Sequence, residues 1–268
     1  MKSLGDLRKE PHWSVSQLNT FLSCSLQWAY RYYYKIDSES VGVALLFGKA
    51  IHTALSFSVG EDPEDAKKLF ADEFHRLVKN ETLPVLFPQA KDLESLTETG
   101  LKMMDAFLLN LNTDKITGIG IPFSVNLIDR DGQKLKKPLI GEFDAVENNE
   151  GMTIIVDWKT AGSKWPEGKA DGELQATAYL MAYEQMHNEK AVARFDICTK
   201  AKTPRFDSQW TTRDDDDSFR LVELVKSADK AIESEAFYPS PTFMCAGCSY
   251  KQACKKWHCS KPQLQKAA

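Results

Sequence analysis

The segment Ile154-Ile155-Val156-Asp157-Trp158-Lys159 constrains this chain most tightly. Three consecutive β-branched residues read as a buried strand. The run then ends by presenting a carboxylate and an amine. Alternate side chains of a strand share a face, so Asp157 and Lys159 point the same way, roughly 6–7 Å apart along the backbone. A solvent-facing ion pair is a weak account of them, because an unpaired charge beside a buried run is costly. Residues 139–146 read as the preceding strand and Glu147-Asn148-Asn149-Glu150-Gly151 as the turn between the two. Asp144, in Gly141-Glu142-Phe143-Asp144, therefore reaches the same pocket. Two carboxylates suit a hard cation such as Mg²⁺ or Mn²⁺, and a lysine two residues on suits a phosphate oxygen or an attacking water.

Around this hairpin the pattern is helical first and mixed afterwards. Residues 14–35 read as a helix, with Ser14 and Gln17 spaced like a capping box. Further helices are expected over 44–57, from Pro63 onward, and over 93–111. A strand over 122–128 precedes the hairpin. After it come a helix over 172–187, a strand over 191–199, a short strand at 209–212, and a last long helix opened by Asp214 to Asp217. The expected class is α/β, with a core ordered helix, three antiparallel strands, helix, strand, and a sheet of four strands plus the short one. One domain over 1–268 is expected. It comprises a helical part at 14–112, a core at 120–236 and a cysteine tail at 237–268 that packs with Cys24.

The most apolar window, 41–59, carries Lys49 and His52 and is broken by Gly42, Gly48, Ser56 and Ser58, which reads as a buried helix and not a membrane span. No apolar leader opens the chain, and its six cysteines then suggest reduced, metal-binding thiols in a cytoplasmic protein. The formal net charge of −4 excludes binding nucleic acid through a uniformly basic surface, so any such contact must be local and helped by cations. Lys134, Lys136 and Lys137, Lys200, Lys202 and Arg205, and Lys255, Lys256 and Lys261 are local candidates, although solvated faces explain most such groups. The aromatic run Trp28, Tyr30, Tyr32, Tyr33 and Tyr34 reads better as helix packing than as a base-stacking platform.

Cys245, Cys248 and Cys254 form a C-x2-C-x5-C group, with Cys24 far upstream. From spacing alone, a zinc knuckle closed by Cys259 with His258 in reserve competes with an iron–sulfur centre. Cys198 reads as a buried apolar cysteine. Gln175 and Tyr179 stand four apart on one helix face. Their value comes from their place, one helix after the Asp–Lys strand. His52 lies one turn beyond Gly48 and is a further nitrogen donor.

Taken in order, His52, Asp144, Asp157-Trp158-Lys159 and Gln175-x3-Tyr179 resemble the RecB-like branch of the PD-(D/E)XK nucleases. The cysteines resemble its iron–sulfur subset, which includes the CRISPR-associated four-cysteine exonucleases and the AddB nuclease domain. The likeness spans about residues 14–254. Phe143-Asp144 departs from the Pro-Asp of the superfamily name, while Gly141 to Asp144 supplies the Gly-x-x-Asp of this branch. The resemblance implies a restriction-endonuclease-like core and Mg²⁺- or Mn²⁺-dependent hydrolysis of DNA phosphodiesters, as an exonuclease on single-stranded or free ends. His52, Asp144, Asp157 and the Trp158 carbonyl would hold the metal. Lys159 would act on water or phosphate, and Gln175 and Tyr179 would orient it or the DNA. Cys24, Cys245, Cys248 and Cys254 would hold a 4Fe–4S cluster, with Zn²⁺ as the other occupant. Protein partners in recombination, phage replication or CRISPR adaptation would follow. Two other classes stay open: a DNA-binding or assembly subunit with little cleavage, and a zinc-stabilised scaffold with an incidental Asp–Lys pair.

Overall fold

The structure is a computed structural model that describes residues 2–259; the side chains of His258 and Cys259, and Lys261, fall outside the described residues. A short helix α1 (Leu4–Leu7) leads to α2 (Val15–Ser23), whose first turn is held by the Ser14 hydroxyl accepting from Gln17 N–H. The expected helix over 14–35 does not run through. At Cys24 the backbone becomes extended, α3 (Ser25–Trp28) restarts it, and a π-helical turn (Ala29–Tyr33) ends it. The break has a partner. Leu26 N–H donates to the Tyr238 carbonyl at 3.1 Å, and the Ser25 hydroxyl bonds both the N–H and the carbonyl of Tyr238. The C-terminal segment thus takes up polar groups that a continuous helix would satisfy internally.

After β1 (Val41–Gly42) come α4 (Val43–Phe57), α5 (Pro63–Asn80), β2 (Val85–Leu86) and α6 (Leu93–Asn110). Asp62 caps α5 just before Pro63, and Asp92 with Ser95 forms a capping box on α6. β1 and β2 pair as a short parallel sheet that sequence reading did not anticipate.

Next come β3 (Ile116–Val125), β4 (Leu139–Asn149), β5 (Met152–Ala161), α7 (Lys169–Gly172), α8 (Leu174–His187), β6 (Val192–Thr199), β7 (Phe206–Thr211), α9 (Asp215–Glu233) and α10 (Lys251–Cys259). The five strands lie in chain order, antiparallel except for β5 and β6, which run parallel and are bridged by α7 and α8. The expected core order is met by β3, β4, β5, α8 and β6. β7 is a full edge strand rather than a short addition. β3 starts six residues before the strand expected over 122–128, and Ile128 makes only an isolated bridge to Lys134. Gly118 and Gly120 hid its beginning, because residues without side chains erase the alternation that marks a strand. The five-residue turn shrinks to Glu150-Gly151, both at positive φ (53° and 88°), the conformation that tight hairpins require.

The sheet is covered on both faces. On one side α4, α5 and α6 bury Phe47, Ile51, Phe70, Phe74 and Met103 against Ala145, Ile154, Val156 and Trp158. On the other, α2, α3, α8 and α9 bury Leu18, Trp28, Ala178 and Val225 against Phe123, Phe143, Ile155 and Phe195. The helical stretch 14–112 is therefore divided between the two faces. The tyrosine-rich turn is packing: Trp28 contacts Trp13, Phe21, Tyr32 and Phe237, and the Tyr30 ring lies tilted against that of Tyr250.

Candidate active site

Pairing between β4 and β5 ends at Ala145 opposite Val156, so the next rung, Asp144 opposite Asp157, is open. The backbone is distorted there. Phe143 and Ala145, two apart on one strand, belong to cores on opposite faces of the sheet. The freed Trp158 N–H donates instead to Asp144 Oδ2 at 3.0 Å. That bond turns the Asp144 carboxylate toward β5, and its other oxygen lies 3.2 Å from His52 Nδ1 on α4. His52 reaches the strand because α4 lies flat on this face, with Ile51 and Ala54 fully buried beneath it.

Asp157 is 3% exposed, and its Oδ2 stands 2.7 Å from Lys159 Nζ. The approach is close but off the hydrogen-bonding direction, so this buried oxygen is ion-paired without a hydrogen-bond donor. Burial pushes the Asp157 carboxyl up to about 6, with Lys159 opposing the rise and Asp144 adding to it. For Lys159 burial works against the charge, and Asp157 and Asp144 more than offset it, so the ammonium is held above its usual range. His52 shows the same balance: burial disfavours the imidazolium, and Asp144 and then Asp157 raise it nonetheless.

Tyr179 closes the site from α8. Its ring lies edge-on to Phe123 and Phe143, and its hydroxyl donates to the Glu142 carbonyl at 2.6 Å. The same hydroxyl meets the side chains of Gln175 and Asp157. Burial first, then the charges of Asp144 and Asp157, place its ionisation far above the ordinary phenol range. His52, Asp144, Asp157, Lys159, Gln175 and Tyr179 are thus brought together, and the backbone of Trp158 enters through its N–H.

Two acidic residues border the cluster without having been singled out in the sequence. The Glu142 carboxyl is raised by burial and then by Asp144, while Glu173, at the N-terminus of α8, helps hold Lys159 protonated. Glu142 lies two residues before Asp144, and that strand spacing was the available signal. A separate cavity toward the opposite end of β5 is lined by Glu147, Arg194, Asp196 and Trp210. There Arg194 binds both carboxylates in bidentate fashion, which makes it a structural ion network.

Among the described residues, no three His, Cys, Asp or Glu side chains are gathered as a ready-made metal site. The donor set nevertheless suits a hard cation. Two carboxylates and an imidazole share one cluster, and the undonated Oδ2 of Asp157 is a buried oxygen wanting a cation, a place Lys159 takes in this structure. Among the described residues, the sulfur residues influence one another's charge without forming a ready-made metal site. Cys248 and Cys254 thiols are raised, by burial first and then by the neighbouring Cys24 and Cys245. Cys24 sits at the helix break, its sulfur 4.0 Å from the Tyr238 carbonyl. The competing ligand Cys259, with His258, has its side chain outside the described residues. Cys198 is fully buried, as expected.

Among the described residues no helix is long and apolar enough to cross a membrane. The fold is similar to that of a candidate exonuclease from Eubacterium rectale, with TM-score 0.59 and 15% identity over 92% of this chain and 90% of that one. A second solved structure, SSO0001, aligns over 94% of this chain and 95% of its own at 14% identity, with a TM-score of only 0.41. No curated protein matches the chain. The sequence model of one family matches residues 12–255, a span that includes every residue of the cluster above. The chain belongs to the PD-(D/E)XK nuclease superfamily.

Proposed function

We propose that this protein is a divalent-metal-dependent DNA exonuclease of the RecB-like kind, acting on single-stranded or free ends, with a structural 4Fe–4S cluster. The observation that carries the reading is the open rung between β4 and β5. Asp144 and Asp157 face each other there, with one buried carboxylate oxygen lacking a donor and Lys159 poised on it. His52, Asp144, Asp157 and the Trp158 carbonyl would hold Mg²⁺ or Mn²⁺. Such an ion supplies Lewis-acid polarisation of the phosphoryl group and lowers the pKa of an attacking water.

The chain's own residues do the rest. Lys159, held protonated, would offer its ammonium to a non-bridging phosphoryl oxygen, where negative charge grows as the attacking oxygen bonds to phosphorus. Tyr179 stays neutral and is anchored on the Glu142 carbonyl, so with Gln175 it fixes the side of the site opposite His52. Trp158 N–H keeps Asp144 oriented. The exonuclease reading draws on the resemblance and on the name carried by the Eubacterium rectale neighbour. Roles in recombination, phage replication or CRISPR adaptation draw on the resemblance alone. For the cluster, the support is the C-x2-C-x5-C spacing of Cys245, Cys248 and Cys254 and the electrostatic influence of Cys24 on Cys248 and Cys254.

The test is digestion of end-labelled and circular single- and double-stranded DNA by the purified protein with Mg²⁺, Mn²⁺, Ca²⁺ or chelator. Stepwise shortening of linear single strands in Mg²⁺ or Mn²⁺, binding without turnover in Ca²⁺, and no cutting of circles are expected. Undiminished hydrolysis after chelation would remove the mechanism, and cutting of circles would remove the exonuclease assignment.

A further inference from the structure

Of the cationic residues that follow β6, Lys200 is placed unlike the rest. Its N–H donates to the Ala161 carbonyl at 2.7 Å and so extends the β5–β6 ladder one step beyond the rung of Ala161 with Thr199. It therefore lies at the same end of the sheet as Asp157 and Lys159. Its side chain crosses to the α4 side, where Nζ stands 4.7 Å over the ring of Phe47. Among the described residues it forms no ion pair. Burial alone pushes its ammonium down, with no carboxylate pulling the other way. Thr160, half-buried on β5, points its hydroxyl at Gly48 of α4, where an added Cβ would come within 3.9 Å of it. That hydroxyl has no hydrogen-bond partner among the described residues. Gly48 and His52 are one helical turn apart, about 6 Å along the axis.

A half-buried cation without a counter-ion over Phe47, and a free hydroxyl facing the side-chain-less Gly48, thus flank adjacent positions of α4 about one turn from His52. Retaining an uncompensated ammonium costs stability unless an anion completes it. We propose that Lys200 and Thr160, over the opening left by Gly48, hold the backbone phosphate next to the scissile one in a bound DNA strand. This rests on the nuclease reading above. Lys200 is a positioning residue and touches no reacting atom. The purely structural alternative is an ammonium capping the Phe47 ring.

The experiment measures binding of a short, labelled single-stranded oligonucleotide to the full chain in Ca²⁺ across a salt series. Lys200→Met keeps the aliphatic stem over Phe47 and removes the charge; Lys200→Arg keeps the charge. Thermal melting checks that both remain folded. Lys200→Met is expected to weaken binding about tenfold at low salt and to flatten the salt dependence by about 0.7 in log–log slope, the loss of one phosphate contact on a single strand. Lys200→Arg should stay within about twofold. A methylphosphonate replacing the phosphate beside the cleavage position should weaken wild-type binding markedly and Lys200→Met much less, since only the Thr160 contact remains there. Wild-type affinity and slope in Lys200→Met, or an equal methylphosphonate effect in both proteins, would overturn the assignment. Failure of the nuclease reading looks different: the wild-type chain then neither binds nor cuts the oligonucleotide, and this site falls with it.

Discussion

Asp157→Asn should make the metal-free protein more stable at alkaline pH while destroying its activity. The Asp157 carboxyl is raised from the ordinary 3.8 to about 6, chiefly by burial. An acid whose folded-state pKa is raised binds its proton more tightly in the native state. Its stabilising contribution is complete below about pH 4 and is lost as pH rises through about 6. The shift corresponds to about 3 kcal/mol, at roughly 1.4 kcal/mol per unit. Asparagine imitates the neutral acid, and the attraction to Lys159 is already contained in the shift. Losing that partner therefore adds no second penalty. In excess chelator near pH 8 the variant should gain about 3 kcal/mol, or roughly 5–10 °C in melting temperature, and the gap should close near pH 4. Denaturant unfolding across that pH range measures it. Mg²⁺ should stabilise the wild type and leave Asp157→Asn nearly unmoved, because a ligand adds stability only to a state that binds it. A variant that is no more stable than the wild type at pH 8 and follows the same pH profile would refute the argument that Asp157 is a buried, strained carboxylate.

Other expectations follow from the same geometry. Lys159→Ala should lower kcat at least about a hundredfold with the fold intact by circular dichroism, since Lys159 brings its charge to the cluster; near-normal turnover would remove its role. Tyr179→Phe deletes the bond to the Glu142 carbonyl and should cost about 1–3 kcal/mol of stability together with a fall in kcat, read by unfolding and steady-state assays. Anaerobically purified protein should be brown and contain iron. Cys24→Ser should bleach it and lower its melting temperature while Cys259→Ser does neither, and the reverse dependence would indicate a local zinc knuckle.

Much of this protein was legible residue by residue, where local physics acts over short spacing. The β-branched run before Asp157, the Pro63 and Asp214 helix starts, and the α4 and α8 helices carry signals that span only a few positions. Period two placed Asp157 and Lys159 together, and they pair at 2.7 Å. Period 3.6 placed Gln175 beside Tyr179, whose side chains meet. What tertiary structure alone decided is where long-range partners override those periods. Helix α2 stops at Cys24 because Tyr238, far along the chain, takes the freed Leu26 N–H. Glycines concealed the start of β3, since its hydrogen bonds are paid out by β4 and not by its own side chains. Most of all, the ladder between β4 and β5 opens at Asp144, so a carboxylate replaces a carbonyl as the acceptor for Trp158. No neighbouring residue encodes that exchange. It arises where the twisted hairpin parts under α4 and leaves a polar rung buried between two apolar layers.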